Sequence, residues 1–386
     1  MRLEAMVDEL LAAGHDVEVV TALPNYPAPE IFEGYRGRFY DRERDGRLTI
    51  HRVWLYVARG VGMARLASYL SFAGTSAVGL ARAQRPDVVF VESPPLFLGL
   101  TALAAARIWR RPWILNISDL WPDSVRALGV MQEGLALRLA DRLEHFLYRH
   151  ADLITAVTDG IESELASGKG VPRDKLLFLP NGVDTELFRP RPPDEAVRER
   201  FGIGTGRIVL HAGTIGFAHC PDAIVEAAEL LRERDVTFVF AGDGSERPRI
   251  ERLVRERNLT NVLFIGLVPL HAVADLYSVA IAGIATLRDL PLFEGARPAK
   301  VLPCLASGKP LVYSGRGEGA RLIAEAESGI VVEPESGAAI AAAVSRLLDE
   351  PGLAERLGAN GRRAAVERFG WKALVGDWLE QLGRST

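Results

Sequence analysis

The chain has few of the residues and motifs that build several common kinds of functional site. Its 386 residues include only two cysteines, Cys220 and Cys304, which lie far apart and form no CxxC pair. That spacing argues against a disulfide-stapled fold or a thiolate zinc site and favours a reducing compartment such as the cytoplasm. No two aspartates stand at DxD spacing, and the seven histidines form no HExxH motif. We therefore expect no metal and no cofactor.

Three other classes of protein lack support as well. No GxSxG sequence is present, which argues against a hydrolase with a nucleophile elbow. The longest uncharged run covers only the 16 residues 66–81, short of the roughly 20 apolar residues that span a bilayer. The net charge of −4 gives no sign of nucleic-acid binding. We expect a cytoplasmic protein without a membrane-spanning helix.

Short apolar runs alternate with longer amphipathic segments along the whole chain. This alternation predicts an α/β protein whose parallel sheets are covered by helices on both faces and bind ligands beyond the carboxyl ends of the strands. The predicted strands are 17–22, 87–92, 112–117, 152–157, 208–213, 237–242, 262–266 and 310–315.

A proline-rich segment, FRPRPPDE (188–195), is the most linker-like part of the sequence. It predicts an N-terminal domain over 1–188, a second domain over 195–366, and a cleft between the two. The remaining residues, 367–386, form an amphipathic helix with more apolar surface than a lone terminal helix needs. We expect that helix to pack back on the first domain.

Glycine-bearing turns follow three strands of the second half, at Gly213, at Gly242 with Gly244, and at Gly266. One such turn is an ordinary strand end, but three at the same edge of a sheet predict a binding site that brings backbone close to a ligand. A GxGxxA sequence at 315–320 imitates a dinucleotide fingerprint. Only 66 residues follow it, too few to complete such a domain. The alternative interpretation, a helix N-terminus that binds a phosphate, is kept.

Polar side chains also follow strands of the first half, in NYP (25–27) and SDLWPD (118–123). Asp119 and Trp121 could position a hydroxyl-bearing ligand; in the alternative interpretation, Asp119 or Asp123 caps the next helix. Between 36 and 65, eight arginines stand against three acidic residues, with aromatic residues interleaved. That composition fits either contact with an anionic membrane face or a solvated loop, and both interpretations stay open.

Taken together, five motifs resemble glycosyltransferase family 4 over nearly the whole chain. They are SDLWPD (118–123), PNGVD…F.P (180–190), HAGTIGFA (211–218), FAGDGSER (240–247) and EGARPAKVLPCLASGKP (294–310). The resemblance implies a GT-B fold, with two Rossmann-like doubly wound domains facing a central cleft. It also implies a retaining transferase that uses a nucleotide-sugar, with a UDP-sugar favoured. NYP, SDLWPD, GARPAK and GEGARLI are closest to the branch that extends lipid-linked glycans of bacterial surface polysaccharides.

The resemblance also assigns roles. Lys300, the Gly213–Thr214 turn and Arg247 would stabilise the leaving diphosphate, and Gly266 to Val268 would contact the base. The expected donor-binding residues are Gly213, Thr214, Gly242, Asp243, Gly244, Arg247, Gly266, Val268, Glu294, Lys300, Gly317 and Glu318. The expected acceptor-binding residues are Asn25, Tyr26, Asp119 and Trp121, with Asp119 and Lys300 as the catalytic pair.

The chain departs from the family pattern in two places. Members usually carry a glutamate that holds the donor ribose three residues after the lysine; Pro303 stands there, so we look to Glu294 or Glu318 instead. The proline also predicts a late helix start or a kink. Members usually begin with a strand and a glycine-rich turn, and that first strand is missing here. A degenerate homologue acting as a binding partner and a sugar-nucleotide epimerase are the alternative functions.

Overall fold

A computed structural model describes residues 2–25, 30–58, 63–127 and 134–385 of the chain. The chain divides into two compact units, one comprising Met1–Pro180 with Val375–Thr386 and the other Asn181–Leu374. The predicted α/β class with mostly parallel sheets is confirmed in both units. In the described residues, no helix is both long enough and apolar enough to cross a membrane.

The first unit contains two separate sheets. One has the order β1-β3-β2, in which β1 and β3 are parallel and β2 is antiparallel; the other is the parallel sheet β4-β5-β6-β7. β1 and β4 are therefore both edge strands, and the absence of a first strand remains a prediction. The strands are β1 (Val17–Ala22), β2 (Tyr40–Asp45), β3 (Leu48–Val53), β4 (Val89–Ser93), β5 (Trp113–Ile117), β6 (Leu153–Ala156) and β7 (Leu176–Phe178).

Helices flank these strands. They are α1 (Arg2–Ala12), α2 (Met63–Leu80), α3 (Leu98–Trp109), α4 (Asp123–Ala127), α5 (Leu135–His150) and α6 (Asp159–Ser167).

The second unit is built on one parallel sheet of six strands in the order β10-β9-β8-β11-β12-β13. The order reverses between β8 and β11, which is the topological switch point where open α/β sheets bind ligands. The strands are β8 (Arg207–Ala212), β9 (Val236–Ala241), β10 (Val262–Gly266), β11 (Ala282–Thr286), β12 (Leu311–Ser314) and β13 (Gly329–Val332).

Eight helices lie in this unit and a ninth follows them, counted over the described residues. They are α7 (Glu195–Phe201), α8 (Pro221–Leu230), α9 (Arg247–Glu256), α10 (Leu270–Val279), α11 (Val301–Ala306), α12 (Gly317–Glu325), α13 (Gly337–Asp349), α14 (Leu353–Phe369) and α15 (Trp371–Ser385).

Both faces of this sheet are buried, which explains why its strands are continuous apolar runs. Along β8, Ile208 and Leu210 belong to one hydrophobic cluster while Val209 belongs to the other. Successive side chains of a strand point to opposite faces, so each face needs its own apolar residues.

The short helix α11 shows how the chain accommodates Pro303. The helix begins at Val301 with Lys300 as its N-cap, so the proline lies in the first turn, where a backbone N–H has no partner within the helix. The late start that the sequence predicts is confirmed. At the other end, Gly308 takes a left-handed conformation (φ 70°), and the N–H groups of Gly308 and Lys309 close the helix on Leu305 and Cys304.

The last helix supplies core residues to the first unit. Trp378 of α15 is 3% exposed and meets Phe90 of β4 edge to face, with ring centroids 5.8 Å apart. The backbone N–H of Phe178 donates to the side chain of Gln381 at 3.4 Å. These contacts bind α15 to β4 and to the end of β7.

We expect Trp378→Ala to destabilise the first unit by roughly 3–5 kcal/mol, because truncating a buried tryptophan leaves a cavity. Hydrogen exchange should show faster exchange of the backbone amides of β4 and β5, with strands of the second unit much less affected. Exposed Asp377→Ala, one residue earlier on the same helix, is the matched control. Unchanged exchange at β4 in the Trp378 variant would contradict this role.

Candidate functional site

A buried lysine lies at the switch point of the second unit. Lys300 is 7% exposed and follows β11 in the chain, yet its side chain reaches the turn after β8. Its Cε lies 3.2 Å from the position that a Cβ would take on Gly213. A side chain at 213 would press against the lysine, and the φ of 135° at Gly213 is itself unfavourable for any other residue.

The glycine turns after β8 and β9 pack backbone against backbone. The N–H of Gly213 donates to Ala241 at 2.8 Å, and the N–H of Ile215 donates to Asp243 at 2.9 Å. A Cβ on Gly242 would collide with the carbonyl group of Gly213, and one on Gly244 would collide with that of Ile215. The structure thus brings three of the predicted donor-binding glycines together with Lys300 at one edge of the sheet.

Two histidines that the sequence motifs did not single out belong to the same group. Nδ1 of His219 lies 3.5 Å from Nζ of Lys300 and 3.3 Å from the carbonyl oxygen of Thr286. His211, buried at the end of β8, has its Nε2 3.2 Å from the carbonyl oxygen of Thr214. The one signal for them in the sequence is that His211 is the first residue of the HAGTIGFA motif and His219 directly follows it.

Burial dominates the electrostatics of this group. It lowers the pKa of Lys300 to about 7. Burial and, to a smaller extent, the charge of Lys300 lower the pKa of His219 to about 4 and also lower the pKa of His211. Near neutral pH both histidines are therefore uncharged, and Lys300 is protonated in only a fraction of the molecules. A bound anion would favour the protonated lysine.

The predicted base-contacting segment forms a second group beside the first. Arg247 approaches Gly266, with Nη1 3.4 Å from the position of a Cβ there. Its guanidinium is shared between Glu251, at 2.7 Å, and Asp243, at 3.6 Å. Val268 packs against the core rather than standing free. Arg247 is thus held by two carboxylates in place of facing outward as an unpaired cation.

The two glutamates considered as replacements at Pro303 lie in different surroundings. Glu318 is buried at the start of α12 and pairs with Arg297 at 3.8 Å. Arg297 in turn donates to the carbonyl oxygen of Asn181 at 3.2 Å and so ties the PNGVD segment to GARPAK. The side chain of Glu294 is exposed, and its backbone lies directly against Gly317.

The predicted acceptor residues lie in the first unit. The carboxylate of Asp119 accepts a hydrogen bond from the Ser124 hydroxyl at 2.9 Å, and partial burial raises its pKa. Because α4 begins at Asp123, Asp119 is not the residue that caps that helix. Trp121 meets Phe97 at 6.1 Å, and Asn25 donates to the carbonyl oxygen of Leu23 at 2.7 Å. Tyr26 lies outside the described residues.

The arginine-rich segment forms the β2–β3 hairpin and the turn before it. Four of its arginines pair with acids: Arg36 with Glu30, Arg38 with Asp41, Arg47 with Asp16 and Arg52 with Glu43. Arg59 lies outside the described residues.

An aromatic pair stands exposed beside this hairpin. Phe39 is 54% exposed and Trp54 36% exposed, and their rings stack at 6.5 Å. Together with Ile31, Gly37 and Arg38 they line an open groove of about 410 Å³.

No group of three or more His, Cys, Asp or Glu side chains that would hold a metal ion occurs in the described part of the chain.

The low pKa of Lys300 predicts how stability depends on pH. Between about pH 7 and pH 10 the unfolded chain keeps a proton on this lysine that the folded protein has released, so the free energy of unfolding rises with pH. We expect the stability of the wild type, measured relative to Lys300→Met by urea titration, to increase over this interval. Exposed Lys372→Met is the control. A wild-type advantage that falls with pH would contradict the assignment.

Two family models together match most of the chain. The model for a "Glycosyl transferase 4-like domain" matches residues 1–182, and the model for "Glycosyl transferases group 1" matches residues 194–364. The chain is 28% identical over 359 residues to the putative colanic acid biosynthesis glycosyl transferase WcaI of Escherichia coli, covering 89% of this chain and 86% of that protein. It is 29% identical over 293 residues to the alpha-D-kanosaminyltransferase of Streptomyces kanamyceticus, covering 72% of each.

Solved structures show the same fold. Sucrose-phosphate synthase from Thermosynechococcus elongatus matches with a TM-score of 0.77 and 20% identity, over 100% of this chain and 93% of that one. HepE from Anabaena, solved in complex with UDP and glucose, matches with a TM-score of 0.71 and 17% identity, over 96% and 100%. The fold, the family models and the relatives agree: the chain belongs to the glycosyltransferases of the family 4 type, GT-B enzymes that take a sugar from a nucleotide-sugar donor.

Proposed function

We propose that this enzyme transfers a sugar, with retention of anomeric configuration, from a UDP-sugar to a lipid-linked glycan during synthesis of a surface polysaccharide. One observation carries the proposal more than any other. Lys300 is a buried cation at the switch point, beside exposed backbone of the Gly213–Thr214 turn, and its Nζ contacts no carboxylate among the described residues. Such a group is suited to a ligand that brings its own negative charge.

The chemistry of transfer requires that charge to be balanced. As the bond between the anomeric carbon and the diphosphate breaks, negative charge grows on the leaving diphosphate. A preorganised cation in a site shielded from water stabilises this charge, and losing one such donor typically costs on the order of 10²–10³ in rate. We propose that Lys300 supplies it and that no metal is needed.

The nucleotide assignment draws on a structural relative and on one carboxylate. HepE, a neighbour in fold, was solved with UDP-glucose. Pro303 has no group that holds a ribose hydroxyl, and Glu318 is engaged by Arg297. We propose that exposed Glu294, whose backbone lies against Gly317, binds the ribose hydroxyls instead of residues 303 and 318.

The acceptor assignment draws on a relative that matches most of both chains. WcaI is named for colanic acid biosynthesis. In the first unit, we propose that Asp119 orients the acceptor hydroxyl, since its raised pKa makes the carboxylate a better proton acceptor than a fully solvated aspartate. Trp121 and Asn25 would complete that side of the site.

Pro303 is the observation that favours a second function. If the loss of the ribose carboxylate abolishes turnover, the chain is a degenerate homologue that binds without catalysis. A sugar-nucleotide epimerase, the other alternative, would convert the donor with no acceptor present. Measurements of donor binding and of turnover distinguish both alternatives from a transferase.

A thermal-shift screen of UDP-, GDP- and ADP-sugars tests the donor site. We expect stabilisation by a UDP-sugar, and we expect Lys300→Ala to remove most of that stabilisation and to lower kcat about 10²- to 10³-fold. Lys372→Ala, at an exposed lysine of α15, should behave as wild type. Chelation with EDTA should leave binding unchanged, and NMR of the product should show a retained anomeric configuration.

Three results would count against this function. Absence of stabilisation by any nucleotide-sugar would overturn the donor site. Conversion of the donor without acceptor would identify an epimerase. Binding with no transfer, followed by turnover once Pro303→Glu is introduced, would identify a degenerate homologue.

Peripheral contact with an anionic membrane is a separate proposal, supported by exposed Arg42 and Arg44 of β2 and by the Phe39–Trp54 pair. Each basic residue near such a surface contributes about 1 kcal/mol. We expect Arg42→Gln with Arg44→Gln to weaken co-sedimentation with phosphatidylglycerol vesicles by roughly tenfold or more. Arg232→Gln with Arg234→Gln, at exposed positions of the second unit, is the matched control. Equal sedimentation of both double variants would contradict the contact.

A further inference from the structure

The partner of Lys300 is unusual for a buried cation. A buried ammonium normally pairs with a carboxylate, because an unpaired buried charge is costly. In the described residues the single polar contact of Nζ is Nδ1 of His219, at 3.5 Å. Burial is the cause of the lysine's low pKa, with no charged neighbour contributing.

His219 is itself held firmly in place. The Thr286 hydroxyl donates to the backbone carbonyl of His219, and the N–H of Arg288 donates to the carbonyl of Ala218 at 3.0 Å. The Arg288 guanidinium lies over the Phe217 ring at 3.9 Å and donates to the Phe217 carbonyl at 2.8 Å. The turn 217–219 is thus fastened to the end of β11, and Nδ1 cannot drift away from Lys300.

From this geometry we propose that His219 is a positioning residue, whose uncharged ring accepts a hydrogen bond from the Lys300 ammonium and holds Nζ at the Gly213 turn without neutralising its charge. The inference rests on the proposed function, in which Lys300 meets the donor diphosphate. A carboxylate at this position would hold the lysine equally well. It would also compete with the diphosphate for the same cation and repel it.

The surroundings of Nδ1 give it a hydrogen-bond partner whether Lys300 is charged or neutral. When Lys300 is charged, Nδ1 is the acceptor and the ring proton sits on Nε2. When Lys300 is neutral, Nδ1–H donates to the carbonyl oxygen of Thr286, 3.3 Å away. The ring changes tautomer but carries no net charge in either state, which agrees with its pKa of about 4.

The charged and titratable groups around His219 are few. Lys300 faces it from the start of α11, and His211 faces it from β8, with ring centroids 6.4 Å apart. Arg288, after β11, is stacked on Phe217, and Cys220, the next residue in the chain, is buried with a raised pKa. The acids next to this turn are Glu335, which pairs with Arg288 at 3.6 Å, and Asp222, which pairs with Arg249 at 2.7 Å. Among the described residues, no contact joins either acid to Nζ of Lys300.

Three substitutions at one position separate positioning from a purely structural role. His219→Asn keeps an uncharged acceptor near the place of Nδ1, His219→Leu removes the acceptor, and His219→Asp adds a carboxylate. The probe is UDP-glucose, whose diphosphate is a diester and keeps both charges over the range studied. Its affinity is measured by calorimetry between about pH 5.5 and pH 8.5, where Lys300 titrates.

In the wild type, affinity should fall about tenfold per pH unit above the pKa of free Lys300, near 7. His219→Asn should stay within a few-fold of this profile. His219→Leu should move the fall to lower pH by about one unit while affinity near pH 5.5 stays close to that of the wild type. His219→Asp should move the fall to higher pH and lower the affinity at acid pH by roughly tenfold or more.

The outcome that overturns the proposal is a set of variants whose affinities differ but whose pH profiles coincide with that of the wild type. If the leucine variant does not fold, the asparagine and aspartate variants still give opposite expectations. Binding of UDP-glucose by the wild type, lost in Lys300→Ala, would leave the donor site standing even if His219 proved irrelevant. Absence of binding by the wild type would instead remove the donor site itself.

Discussion

A positive charge buried without a carboxylate beside it is the constraint around which the second unit is organised. Removing an ammonium from water is unfavourable, and the folded protein responds by lowering the pKa of Lys300 to about 7. The unsatisfied charge makes the site receptive to an anion. In the proposed function, binding of a diphosphate would restore the proton and offset the desolvation, so affinity for the donor and instability of the free site would have one origin.

The glycine turns matter because they leave room for this arrangement. Gly213, Gly242 and Gly244 allow two loops to meet backbone to backbone at the ends of β8 and β9. Side chains there would separate the loops and displace the Cε of Lys300. At the switch point, the Gly213 turn follows β8 and Lys300 comes from the segment after β11, so the two meet at the same edge of the sheet. The structure of this edge depends on close backbone approach as much as on charge.

Much of this could be predicted from the sequence, for reasons that particular residues make clear. The buried strands are continuous apolar runs because both faces of each sheet are covered, as Val209 and Leu210 show by facing different clusters. Pro303 lies in the first turn of a helix and Gly308 just beyond its end, and the late start and left-handed end of that helix follow from backbone chemistry alone. The separation of the first unit into two sheets did not follow from these patterns, because strand pairing depends on neighbours distant in sequence.

The sequence alone therefore determined the family and the α/β class, and it singled out Lys300 among the lysines, since these depend on local patterns and ordered motifs. Only the tertiary structure decided what surrounds each side chain. It placed His219 against Lys300 across 81 residues of chain, turned Glu318 toward Arg297, and left Arg247 between two acids. Burial and long-range contacts set the charge state of a group, and neither can be derived from the residues next to that group in the sequence.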